Sequence, residues 1–430
     1  MLAGVLAARM ARRGAHYGWV IVAVTFFACL VTAGAIGISG ALILPLAKEF
    51  GWNIAEISGP LALRLLPYGL MGPFAAVLME RFGVRNIVLL AIGLICAGLA
   101  LALTMSTIGQ LFLYWGAIVG IGTGMTGSVL SAVVSTRWFN KRRGLVLGFL
   151  TASISTGQLV FLPAAAWLVE RYGWRYALAP SVFALVLAGL LVILFMRDRP
   201  SDVGLAPYGE PPLAPGRILP PPPPAIGRAF SVLGEASKSS VFWILCGTFY
   251  ICGLSTTGLI QTHFIALCVE FGLPAVAAAS TLAMMGVFDI FGTIGSGWLS
   301  DRYDARALLF WYYGLRGLSL LYLPYSGFTL YGLSLFSLFY GLDWIATIPP
   351  TVRLAAQALG KDRAAIAFGW IFAAHQFGSA TAALGGGMAR TLLGSYLPAL
   401  WIAGALCLLA SASVWLIGAR RPMEAKAPAA

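Results

Sequence analysis

Four charged side chains and a histidine stand inside stretches that are otherwise apolar: Arg64, Asp289, Arg316, Asp343 and His375. A charge halfway through a bilayer costs about 2.5–3.5 kcal/mol on insertion scales, so each needs a partner, water or a task. Arg64 presents a permanently charged planar fork suited to a carboxylate, which makes it a candidate anion anchor. The competing role is a structural ion pair with Asp289 or Asp343. Asp289 is a candidate proton carrier, because burial and a neighbouring arginine act in opposite senses on a carboxyl's hold on its proton. An anion bound at Arg64 would loosen that arginine's grip on the acid and so couple proton to anion. Structural pairing is again the competing role. Asp343 is a second candidate for proton coupling, and Arg316 is read as its structural ion-pair partner. His375 suits a hydrogen bond to substrate, a proton relay or simple packing. Gln158 and Gln376 offer polar contacts, and Tyr68, Trp344 and Phe372 offer either a wall for a ligand or packing.

The elements that must position these groups are apolar blocks of about 20 residues or more, as a bilayer-spanning helix requires. The chain has 430 residues, 60% of them hydrophobic and 10% charged, too little polar surface for a soluble globule. Twelve blocks are legible, at roughly 18–46, 55–79, 86–105, 109–136, 144–168, 175–196, 240–268, 275–299, 306–325, 328–352, 364–389 and 396–418. Pro349-Pro350 should interrupt the tenth, and the Tyr68-to-Pro73 stretch of the second reads as a small-residue contact face with a kink.

Between the second and third blocks lies Glu80-Arg81 followed by Arg85; between the eighth and ninth lies Asp301-Arg302 followed by Arg306. The offset is 221 residues (301 − 80), and Arg142 and Gly148 stand at the same offset from Arg363 and Gly369 (369 − 148). Two patches at one spacing indicate a duplicated chain of two similar halves. The acid–base loop motifs, Glu80, Arg81, Arg85, Asp301, Arg302 and Arg306, read as gating contacts that form in one conformation and break in another.

The formal charge of +13 is a topology signal. If both termini share one side, that side carries 22 of the 28 Lys and Arg residues, the bias that places it in the cytoplasm. Nucleic acid is not an expected partner. All six cysteines lie in apolar blocks without metal-ligand spacing, so no metal is expected and they read as small buried hydrophobes. Residues 1–196 should form one six-helix bundle and 239–418 another, with 419–430 a disordered tail. The Pro-rich segment 197–238 reads as a cytoplasmic linker without helical periodicity. No cleavable leader is evident, the first apolar run being too long for a signal core.

An acid–Arg pair behind a small residue, at both the second-to-third and eighth-to-ninth loops, resembles the major facilitator superfamily of transporters. That resemblance implies an all-α integral-membrane fold of twelve helices in two pseudo-symmetric six-helix bundles. It also implies that helices two and eight line a central cleft. Asp289 corresponds to position 68 (289 − 221), one turn from Arg64, so Arg64 and Asp289 should face one cavity from opposite halves. Arg316 would lie on an outer supporting helix. Phe288-Asp289-Ile290-Phe291, and Trp138-Phe139 ahead of a basic cluster, resemble the monocarboxylate transporter-like branch, related to oxalate/formate antiporters. Where that branch has an Arg four residues after the Asp, this chain has Thr293, and the first helix holds no Lys in its span. A singly charged anion fits better than a dicarboxylate.

The resulting expectation is a proton-coupled secondary transporter of a small organic anion, a monocarboxylate, working as a monomer by alternating access in a bacterial inner membrane with both termini cytoplasmic. A facilitator or exporter of a neutral or amphipathic solute is the alternative within transport. A membrane sensor or membrane-embedded enzyme is the alternative outside it. No cofactor is called for, and no phosphate-binding Gly loop with Lys appears that would point to an enzyme.

Overall fold

Twelve membrane-crossing spans follow one another in the computed structural model, which describes residues 2–52, 54–211 and 225–418. The proline runs at 211–224 (from 212 onward), the tail 419–430 and the side chain of Gln158 lie outside the described residues. Span 1 is Gly18–Gly37 continued by Ser39–Phe50, span 2 is Ile54–Leu63 continued by Leu65–Phe82, and span 3 is Val84–Ala102. Span 4 runs Ile108–Trp138, span 5 Arg143–Tyr172 and span 6 Trp174–Phe195. Span 7 is Ser240–Glu270, span 8 Ala275–Ser300 and span 9 Ala305–Tyr322. Span 10 is Leu330–Asp343 resumed by Ile348–Leu359, span 11 is Lys361–Leu393 and span 12 is Leu397–Ser413.

Large apolar side chains point outward in rows, such as Phe183, Val186, Leu187, Leu190 and Leu194 on span 6 and Ile402 and Leu409 on span 12. In water these would form an aggregation-prone patch; against acyl chains they are at home. Seven helices are long and apolar enough to cross a membrane by length and composition alone, in spans 1, 3, 4, 6, 7, 8 and 12. The other five are broken or carry polar residues inside, as span 9 carries Arg316 and span 11 carries His375 and Gln376. The spans that look least like membrane helices are those that hold most of the chemistry.

The helices break at matching places in the two halves. Span 4 opens at Gly127 (ψ −155°), and span 10 opens at Trp344–Thr347, where subtracting 221 gives 123–126. The break falls where Pro349-Pro350 should put it, since the two prolines have no N–H for the carbonyls of Ile345 and Ala346. The two prolines fall in the first turn of the resumed helix, where a missing N–H costs nothing. Span 1 bends at Ile38, and the π-helical turns of span 7, Leu254–Gln261, map to 33–40. Span 2 is interrupted at Arg64 and runs continuously through Pro73. Pro67 explains that interruption, since it has no N–H for the carbonyl of Leu63.

The two halves touch through glycine at the end that carries the termini and most of the basic residues, hereafter the basic face. A Cβ on Gly148 of span 5 would meet Thr293 O at 2.6 Å and Gly297 Cα at 3.0 Å on span 8. Its counterpart Gly369 on span 11 would bring a Cβ within 2.6 Å of Pro73 Cα on span 2. The pair of glycines 221 residues apart thus marks two equivalent joints at which backbones meet.

One expectation fails. The linker is not free of helix, because Ala225–Ala236 is helical and buries Ala229, Val232 and Ala236, one stripe at helical spacing. The prolines just before it mask that stripe in any window that includes them. A shorter helix, Leu2–Ala11, precedes span 1 and buries Ala3 and Ala7.

Gly369→Val should overpack the span 2–span 11 joint by about 1–3 kcal/mol. The expected reading is a lower midpoint of thermal unfolding in detergent; an unchanged midpoint would mean that the backbones do not approach there.

Candidate functional site between the two halves

Breaking span 10 inside a membrane releases backbone groups that lipid offers no way to satisfy. Arg316 of span 9, fully buried, answers most of that demand. It donates from Nη2 to the carbonyls of Asp343 (2.6 Å) and Trp344 (3.1 Å), and from Nε to Asp343 Oδ2 at 2.7 Å. Its Nη1 lies 2.9 Å from Cys252 Sγ on span 7. A cation at the C-terminal end of the first helical piece also opposes that helix's dipole. Asp343 Oδ1, also buried, has no hydrogen-bond partner among the described residues.

Asp289 serves the same break from span 8. Its Oδ1 accepts from the Ile345 N–H at 2.8 Å and from Thr293 Oγ1 at 2.8 Å. Its Oδ2 accepts from Ser155 Oγ of span 5, in the other half. The side chain is 1% exposed. The hydroxyl of Thr293, standing where the resembled branch has a base, therefore anchors the acid.

Arg64, also buried, donates from Nη1 to Ile36 O at 3.3 Å, just ahead of the bend in span 1. A Cβ on Gly120 of span 4 would lie 3.2 Å from Arg64 Cγ, so the side chain packs on span 4. Asp289's partners do not include Arg64, so the two charges meant to meet across the halves are not paired. The acid's polar contact with the first half is a serine.

Symmetry organises the rest. Asp289 corresponds to Tyr68, and Ser155 to Gln376 (376 − 155 is 221). The Asp289–Ser155 joint between spans 8 and 5 thus has its counterpart where span 2 meets span 11. There the Tyr68 ring meets Phe372 edge-on, centroids 5.4 Å apart, and a Cβ on Gly69 would lie 2.7 Å from Gln376 Cβ. The His375 ring lies parallel to Phe372 at 5.7 Å and its Nδ1 is 3.4 Å from Gln376 Nε2. Gln376 Oε1 is buried and has no hydrogen-bond partner among the described residues. Trp344 packs instead against Tyr340. Tyr68, Phe372, His375 and Gln376 form one cluster that straddles the halves, while Asp343 and Arg316 belong wholly to the second half.

Among the described residues, two of the six loop residues have contacts beyond their own half. Asp301 accepts from the N–H groups of Gly144 (2.8 Å) and Leu145 (3.1 Å), capping span 5 from across the interface. Glu80 pairs with Arg228 of the linker helix at 3.1 Å. The contacts of the four arginines stay local. Arg81 lies over the Phe82 ring, and Arg85 donates to Ile193 O of span 6. Arg302 lies over Trp298, and Arg306 binds Asp304 at 2.6 Å and Ile417 O. That ion pair lowers the carboxyl pKa of Asp304. Sequence reading missed Ser155, Asn140 and Arg228; the offset of 221 from Gln376 was the available signal for Ser155.

Two pseudo-symmetric six-span bundles, broken in register and meeting at polar joints, define a membrane transporter architecture. The sequence pattern of the Major Facilitator Superfamily matches residues 21–383. Monocarboxylate transporter 13 of Bos taurus is 25% identical over 404 residues, covering 92% of this chain and 88% of that protein. An uncharacterized MFS-type transporter of Bacillus subtilis (strain 168), YcxA, is 26% identical over 367 residues, covering 83% and 84%. Among solved structures, XylE, titled a proton:xylose symporter, shares the fold. A double-Trp mutant of it gives a TM-score of 0.72 at 15% identity, covering 93% of this chain and 96% of its own. The chain belongs to the major facilitator superfamily.

Arg316→Gln should leave Asp343 buried without its cation, costing about 3–5 kcal/mol and most of the folded yield. Arg316→Met combined with Asp343→Leu should recover only part of that yield in size-exclusion profiles of the detergent-solubilised protein, because the carbonyls of Asp343 and Trp344 still lack their donor; a double variant as poor as the single would show that the lone acid is not what fails.

Proposed function

We propose that the protein is a proton-coupled secondary transporter of a small organic anion, a monocarboxylate. The observation that carries this reading is a buried guanidinium, Arg64, one turn from the Tyr68–Phe372–His375–Gln376 cluster where the halves meet. Relatives named as monocarboxylate transporters support the substrate class. In this reading Arg64 is drawn from Ile36 O onto the carboxylate, and the apolar body of the anion rests on Tyr68 and Phe372. Gln376 Oε1 accepts a hydrogen bond from the solute or its water. Asp289 carries the proton, and its protonation state alters what it offers Ser155 across the interface; Asp343 is the second acid that could do so. Both termini lie in the cytoplasm of a bacterial cell, the basic face is the cytoplasmic side, and the contacts described there close that side, so the state is outward-facing. The transporter works as a monomer by alternating access.

A specific observation favours a second reading. Arg316 with Asp343, and Asp289 with three donors, are engaged by protein, as they would be in a facilitator of a neutral solute.

Uptake of labelled monocarboxylates into proteoliposomes, with and without an imposed pH gradient, separates the two. The expected result is gradient-driven accumulation that Arg64→Ala reduces at least tenfold through a raised KM. Asp289→Asn should abolish accumulation while exchange persists. Uptake indifferent to pH and to Arg64 would overturn the anion reading in favour of the neutral solute.

A further inference from the structure

The two halves are built alike, yet their seals at the basic face differ. In one, Asp301 caps the N-terminus of span 5 directly. Its counterpart Glu80 (301 − 221) has no such cap to make, because residues 365 and 366 (144 + 221, 145 + 221) lie in the second turn of span 11, which starts at Lys361 and bonds their N–H groups within the helix. It pairs instead with Arg228, which comes from the linker helix Ala225–Ala236. The contact on this side is made by the linker helix and not by the first turn of span 11.

Its attachment reaches both halves. Toward span 2, Arg228 meets Glu80 and the Phe230 ring meets Phe74 edge-on at 5.6 Å. Toward span 11, Glu235 pairs with Arg363 at 2.5 Å and Trp370 Nε1 donates to Ala229 O at 3.1 Å. Phe230, half-exposed, also touches the Trp370 ring, which itself meets Phe74, so this aromatic side chain lies over the seam and touches both halves. Both ion pairs remain partly open to solvent, with side-chain exposures of 23–26% for the first and 46–50% for the second. Such contacts are weak enough to break on each cycle.

We propose that the linker helix is a detachable clasp: it holds spans 2 and 11 together at the basic face and must leave Glu80 and Arg363 before that face can open. The two seals then have different owners. Asp301 belongs to the bundle itself, whereas the Glu80 side answers to the linker, and anything that engages the linker acts on one seal alone. Ser231, exposed on this helix, shares a cavity of about 500 Å³ with Arg228, Glu235, Asp362 and Arg363, so the ion pairs stand open to such an influence. The proposal rests on alternating access.

The test uses the full chain in lipid nanodiscs, Cys96 replaced by Ser, with spin labels at Phe82→Cys and Gln357→Cys at the basic ends of spans 2 and 10. Distances are read by double electron–electron resonance. The parent should give a short distance, and Asp301→Ala should add a long one. Arg228→Glu should raise the long-to-short ratio about fivefold, the scale of one partly buried ion pair. Glu80→Arg combined with Arg228→Glu should return the ratio to near the parental value. If Asp301→Ala opens the face and Arg228→Glu does not, or if the double variant stays as open as Arg228→Glu, the clasp is overturned while alternating access stands. If no variant produces a long distance, both fall together.

Discussion

A helix broken inside a bilayer leaves carbonyls and N–H groups that lipid does not satisfy, and span 10 is broken at Trp344–Thr347. The remainder of the second half is arranged around that demand. Arg316 takes the carbonyls of Asp343 and Trp344, while Asp289 takes the N–H of Ile345. Neither charge could be buried alone at a cost of about 2.5–3.5 kcal/mol each, and neither is, because each is solvated by the backbone it rescues. Asp343 completes the arrangement by neutralising Arg316. The break and the charges explain one another: removing either leaves the other unsupported. Arg64 stands in a similar relation to span 1, where it reaches Ile36 O beside the bend at Ile38.

Contact between the halves follows a second constraint. Under the proposed alternating access, two bundles that separate and rejoin would need an interface that is close but contains little hydrophobic interlock. Glycine against backbone meets that need, since Gly148 against span 8 and Gly369 against span 2 bury few side-chain atoms. Directional contacts then set the register: Asp301 on the first turn of span 5, Lys361 Nζ on Asn140 Oδ1 at 3.0 Å, and Ser155 on Asp289.

Twelve spans and their duplication were legible because both are written in one dimension, as block length and as a repeated offset. Arg64, Asp289, Arg316 and Asp343 were legible as candidates because a charge in an apolar run stands out wherever it points. Their partners were less so. Whether Arg64 turns toward span 1 or span 8 depends on how span 2 packs, which no periodicity records. Ser155 was passed over because a serine in a helix is unremarkable until something charged lies opposite. The linker helix was hidden for a third reason. Its buried stripe of Ala229, Val232 and Ala236 is short and weakly apolar, and prolines precede it.

Pseudo-symmetry also shows where the halves have diverged. At mid-length the joint between spans 5 and 8 pairs Ser155 with an acid; the equivalent joint between spans 11 and 2 sets Gln376 beside Tyr68 and Gly69. One joint is ionisable and the other is neutral and aromatic. A two-fold arrangement with identical joints would respond to a proton equally on both sides and give it no direction. With the acid confined to the span 5–span 8 joint, a change of its charge acts on one seam only, and the aromatic seam is left to respond to the size and polarity of whatever lies against Phe372 and His375. In the proposed proton-coupled reading, the sequence difference between Asp289 and Tyr68, at one pseudo-equivalent position, would let proton and solute be sensed at separate places on a single moving interface.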